Sequence, residues 1–133
     1  MAKFKQIYLD IYKRNLFIFD GNHIEFLNWL NNEFKNDKEY QGLIKYANEV
    51  ERYEPLASFW YNPTIGEGII EIPKLPKTAK EIAYCAHECL HAVFHVLDYV
   101  GVKYDENSSV EAHTYFLEYL MNELLTFDTY KNV

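Results

Sequence analysis

The sequence predicts an α+β domain with a small antiparallel sheet packed on two long C-terminal helices. Three observations carry that expectation. Alternating or continuous apolar stretches suited to strands occupy residues 4–19 and 56–72, whereas helical spacing governs 23–53 and 78–127. Strands and helices therefore follow one another in two rounds, which fits α+β better than a regular βαβ repeat. The chain has 133 residues, 49% hydrophobic and 17% aromatic, enough for one domain over 1–133 with its own core.

The first strand alternates, with Ile7, Leu9 and Ile11 on one side and Tyr8, Asp10 and Tyr12 on the other. Lys13-Arg14-Asn15 supplies a turn and Leu16–Phe19 the return strand, giving a hairpin. Asp20-Gly21-Asn22 breaks it, and Asn22 can cap a helix over 23–35 that buries Ile24, Leu27, Leu30 and Phe34. A second helix is expected over 38–53. Leu56–Tyr61 and Gly68–Ile72 read as strands joined through Asn62–Gly66. Thr78 with Glu81 forms a capping box opening a helix over 78–100, stopped by Gly101. A polar loop at 105–109 leads to a last helix over 110–127.

Charge is uneven along this frame. The net −7 lies wholly in residues 81–133, where only Lys103 and Lys131 are basic, and four of the five histidines lie there too. Such a segment suits a cation and would repel nucleic-acid phosphates, so no nucleic-acid partner is expected. No secretory h-region and no membrane-length apolar run is visible, and only two cysteines are present, which together point to the cytoplasm.

The chemistry concentrates in Cys85-Ala-His87-Glu88-Cys89-Leu90-His91. His87-Glu88-x-x-His91 puts two imidazoles one helical turn apart on one side, where both can reach a single metal ion. Glu88, displaced around the helix, can reach a water on that metal without being a ligand. Tyr84, His95 and Asp98 share this polar side; Ile82, Cys85, Cys89, Val93, Val96 and Leu97 share the apolar one. The cysteines thus read as buried hydrophobes rather than ligands. A catalytic zinc site needs a third protein ligand and an open position. Glu111, at the start of the next helix, is the candidate ligand, although Ser108-x-x-Glu111 can also be read as a capping box. Tyr115 or Tyr84 could donate to a developing oxyanion. His95 reads as a neighbour of the site, and His113 as a core histidine.

His87-Glu88-x-x-His91 with Glu111 resembles the gluzincin pattern of zinc metallopeptidases. Ala86–Ala92, Asp98–Gly101 and Glu111–Leu120 are similar to segments of short phage- and prophage-encoded HExxH proteins, over about residues 66–125. The resemblance implies a minimal zincin-like fold in which a small sheet packs on the motif helix and on a glutamate-bearing C-terminal helix. It also implies Zn²⁺ on His87, His91 and Glu111, Glu88 as general base, Tyr115 as an oxyanion donor, and peptide or protein substrates. The strand Ile69–Ile72 is then the candidate shelf for the substrate backbone. Two features depart from the pattern. Tyr115 stands where thermolysin-like enzymes carry an aspartate that orients the first histidine, so support for His87 must come from elsewhere, such as Asp98. The motif also lacks the longer metzincin extension. The competing reading is a non-catalytic zinc protein that binds a host protein through an aromatic surface. A third is a hydrolase of some other amide.

Overall fold

The computed structural model describes residues 1–50 and 57–133. The parts of the expected second helix and third strand that fall on 51–56 lie outside the described residues.

A long run of apolar residues with no polar alternation marks a strand buried on both faces. Leu16-Phe17-Ile18-Phe19 is such a run. It forms the core of β2 (Arg14–Asp20), with Leu16, Ile18 and Phe19 fully buried. Its hairpin partner β1 (Lys3–Leu9) pairs antiparallel from Lys3 with Asp20 to Leu9 with Arg14. The turn comes earlier than the pattern predicts. β1 ends at Leu9, Tyr12 and Lys13 donate back to the Leu9 carbonyl, and Lys13 takes φ 56°. Ile11 therefore leaves the strand and stands 85% exposed.

Strands β3 (Ser58–Asn62) and β4 (Glu67–Ile72) form a second antiparallel pair. β4 then pairs parallel with β2, Leu16 opposite Gly68 and Asp20 opposite Ile72. A short β5 (Lys131–Asn132) completes the order β3-β4-β2-β1-β5. The sheet is therefore mixed, not purely antiparallel. The long connection from β2 to β4 supplies the crossover a parallel pair needs, and β4 reads as a second doubly buried run, Ile69-Ile70-Glu71-Ile72.

Both faces of the sheet are covered. One carries α1 (His23–Glu33), a short 3-10 turn at Lys38–Tyr40 and α2 (Gln41–Glu49). The Asn22 cap forms as a full box with Glu25, and Leu30 and Phe34 are buried as expected, but Phe26 and Trp29 are buried with them and Ile24 is exposed. Bulk decides the rotation: Phe26 and Trp29 pack with Phe17, Phe19 and Trp60 in an aromatic core that the smaller Ile24 could not fill. Glu71 is buried in this layer and accepts from the Trp60 indole at 2.9 Å, with His23 Nδ1 at 3.0 Å.

The other face carries α3 (Ala79–Tyr99) and α4 (Val110–Leu125). Their core joins Leu16, Ile18, Ile70 and Ile72 to Cys89, Val93, Leu97, Leu120 and Leu124. Lys5 reaches the end of α4 from β1, donating to the Thr126 carbonyl at 3.0 Å and to that of Glu123. Among the described residues, no helix is long and apolar enough to cross a membrane.

Candidate metal centre

Helix α3 is fixed at both ends by local chemistry. Thr78 accepts from the Glu81 amide at 3.1 Å while Glu81 accepts from the amides of Thr78 and Lys77, satisfying first-turn donors. At the other end Gly101 adopts φ 89° and Val102 N–H reaches the Leu97 carbonyl at 2.8 Å. That left-handed residue closes the helix as a glycine C-cap does.

Between these ends the apolar stripe Cys85, Cys89, Ala92, Val93, Val96 and Leu97 is buried. At 100° per residue this leaves His87 and His91 on the outer surface, where both are exposed. Their Nε2 atoms stand 3.2 Å apart. Glu88 Oε1 lies 3.8 Å from His87 Nε2, and its side chain is only 16% exposed. One ligand atom from each of His87, Glu88 and His91 falls within 4.8 Å of the others, and among the described residues this is the grouping able to hold a metal ion.

The separation suits a metal. Two nitrogens bound at 2.0–2.1 Å to one tetrahedral ion stand about 3.3 Å apart, close to what the rings show. A hydrogen bond between two neutral imidazoles spans a similar distance. The Glu88 carboxylate beside the pair is what distinguishes a cation site from a simple ring contact.

His95 extends the ladder by one turn but is occupied differently. It stacks on Tyr61 of β3 at 4.5 Å and on Phe59 at 5.9 Å, with its ring 6.5 Å from that of His91. Burial, then the neighbouring His91, pushes its pKa down. Phe59 and Tyr61, two apart on a strand, therefore form an aromatic wall beside the histidine ladder. The sequence predicts this strand but not that these two side chains face α3. The alternation of half-buried Phe59 and Tyr61 with buried Trp60 and Asn62 was the available signal.

The remaining sequence-predicted residues lie elsewhere. Glu111 is exposed on the first turn of α4 and is outside the His87–Glu88–His91 grouping. The box with Ser108 does not form: Ser109 is the cap residue, and its hydroxyl accepts from Asp105 N–H and donates to the Lys103 carbonyl. Tyr115 is 65% exposed and lines a groove with the β1–β2 turn. His113 explains both placements. It is buried, its Nδ1 is 2.9 Å from the Ser109 carbonyl, and its ring packs on Phe94 of α3 at 5.0 Å. Two residues away in either direction, Glu111 and Tyr115 sit about 160° around the helix from that contact, pointing away from α3.

Asp98 pairs with Lys103 at the end of α3, about three turns beyond His87, so it gives that ring no support. Tyr84 is half-buried on the histidine side, with the Lys80 ammonium 5.8 Å from its ring centre. Ile69–Ile72 is no shelf for a substrate. β4 is flanked by β2 and β3, so its backbone bonds are taken up within the sheet, and β3 is the outer strand on that side. Compared with known proteins, the chain matches no family model, no curated protein and no solved structure.

Proposed function

We propose that His87 and His91 hold a zinc ion and that the site hydrolyses peptide bonds with Glu88 as general base. The observation that carries this reading is the 3.2 Å approach of the two Nε2 atoms beside the Glu88 carboxylate. Zinc bound there would supply a water of lowered pKa, near ~7, and would polarise a carbonyl. The chain's own residues supply the rest. A metal takes imidazoles in their neutral form, and the one-turn spacing on a doubly capped helix brings the two Nε2 atoms together. Glu88 is held against the helix flank by partial burial, close enough to take a proton and return it to a leaving amine.

The wider proposal is a minimal zincin-like peptidase of the phage-encoded kind, working in the cytoplasm on peptide or protein substrates. It is supported by the motif, its helical setting and the adjacent outer strand. Its third ligand is the point under strain. Glu111 would have to swing around α4 to reach the histidines, and its outward position favours the second reading, a metal-ordered protein whose function is to bind a partner.

Glu88→Gln separates the two. On a peptide library with zinc-loaded protein, the hydrolase reading expects cleavage by the native chain, and undiminished metal content with no cleavage in the variant. Absence of cleavage by the zinc-loaded native chain, or full activity in Glu88→Gln, overturns it.

A further inference from the structure

The early end of β1 creates a second surface, on the face of α4 turned away from the histidines. Asp10, Ile11 and Tyr12 in the turn face Tyr115, Phe116 and Tyr119 across a groove of 530 Å³, with Tyr8 at its edge. Tyr12 packs on Phe116 at 5.7 Å to form the floor. The walls are open: Ile11 is 85% exposed, Tyr115 65%, Tyr8 49% and Tyr119 43%. A contiguous aromatic patch of this kind needs a reason, because single exposed apolar residues are ordinary and clusters are not.

Two properties define what fits. First, the tyrosine hydroxyls are open. Tyr40, Tyr99 and Tyr130 each donate within the chain, to Glu67, to the Thr64 carbonyl and to the Leu124 carbonyl. Among the described residues, Tyr8, Tyr12, Tyr115 and Tyr119 make no such bond. Second, the rim is acidic. Asp10 lines the groove, and Glu111 and Glu118 flank Tyr115 on the surface of α4 at i−4 and i+3. Burial, then Glu123 and Asp10, pushes the Tyr119 phenol up. Glu123 is paired with Lys5 at 3.5 Å, so Asp10 is the carboxylate left to the groove. Asp10 is the charged residue of the lining itself; Glu111, Glu118, Lys13 and Arg14 stand outside it, and Arg14 lies over the Tyr99 ring at 5.0 Å.

We propose that this groove binds an extended proline-rich segment carrying arginine or lysine at its ends. A polyproline II chain has no internal hydrogen bonds, so its carbonyls are free for tyrosine hydroxyls while its rings lie on the aromatic faces. A helix has already committed its carbonyls, and a strand would bond to main chain rather than to phenols. Asp10, Glu111 and Glu118 complement the basic ends and repel an acidic partner. This surface is separate from the metal centre and does not depend on the reading given to it.

The test is an anisotropy titration of the full chain with a labelled peptide of alternating proline and leucine ending in arginines. Saturable binding is expected, weakened about tenfold by Tyr115→Ala or Tyr119→Ala, as for an aromatic anchor in an interface. Asp10→Asn should weaken it several-fold and flatten its salt dependence. All three side chains are at the surface, and unchanged melting curves would show that folding is intact. Replacing the terminal arginines by glutamate should abolish binding. The proposal is overturned by no saturable binding, by equal affinity in the tyrosine variants, by preference for an amphipathic helical peptide, or by self-association through this face in sedimentation.

Discussion

The Nε2 atoms of His87 and His91 approach to 3.2 Å across one turn of α3, with no core residue between them and solvent. Nothing in hydrophobic packing requires that approach, since the stripe holding α3 in place lies on its other side. Metal affinity should therefore depend directly on these two rings. His87→Ala or His91→Ala is expected to weaken zinc binding by at least about 100-fold, the upper end of what losing an outer-shell partner costs. Glu111→Gln should leave it within a few-fold, because the carboxylate stands outside the cluster. Competition against a chromophoric chelator measures both, and a large loss in Glu111→Gln would restore Glu111 as a ligand.

Gly66 and Gly101 both have positive φ, 66° and 89°, but in different surroundings. A Cβ at Gly66 would lie inside the van der Waals surface of the Tyr99 ring, while at Gly101 it would meet nothing. Tyr99 is also held in place, donating to the Thr64 carbonyl and receiving the Arg14 guanidinium over its face. Gly101→Ala should then cost about 1 kcal/mol, the left-handed penalty alone, and Gly66→Ala at least about 2 kcal/mol. Urea midpoints of the two variants test the order. Equal costs would show that Tyr99 yields.

Glu81 makes the start of α3 sensitive to acid. The Lys74 ammonium at 2.8 Å, then the Lys77 and Thr78 amides, holds its carboxyl down at about 2, against an ordinary 4.5. A carboxyl lowered on folding adds stability that is present above its unfolded pKa and is lost as pH falls toward the folded one. The native chain should therefore lose its urea-midpoint advantage over Glu81→Gln between pH 5 and 2, and retain it above pH 5. An advantage independent of pH would contradict the assignment.

Cys85 and Cys89 should be chemically silent in the folded protein. Burial pushes their thiols up to about 11 and about 12. A thiolate is the reacting form, so a disulfide-type thiol reagent at pH 8 should label neither until the chain unfolds. Labelling rates that follow the urea unfolding curve would agree; rapid labelling in native buffer would not.

Local chemistry made much of this protein legible in its sequence. The Asn22 cap and the Thr78–Glu81 box form as the sequence predicts, Gly101 stops α3, and the Cys85–Leu97 stripe turns the motif outward. Each depends on residues within one or two turns of one another, where capping and periodicity dominate. Other features lay between elements far apart in the chain. The parallel pairing of β2 with β4 follows from which faces of two apolar runs could be covered by four helices at once. The stripe of α1 rotated because Phe26 and Trp29 fill an aromatic core better than Ile24 does. Tertiary packing also decided the surroundings of the motif. Burying His113, Phe116, Leu120 and Leu124 fixes the rotation of α4, and that rotation sends Glu111 and Tyr115 away from His87 and His91. Sequence alone determined the pair of histidines and the glutamate between them. Which residues came to stand beside them was settled by the larger free energy of burying the helix core.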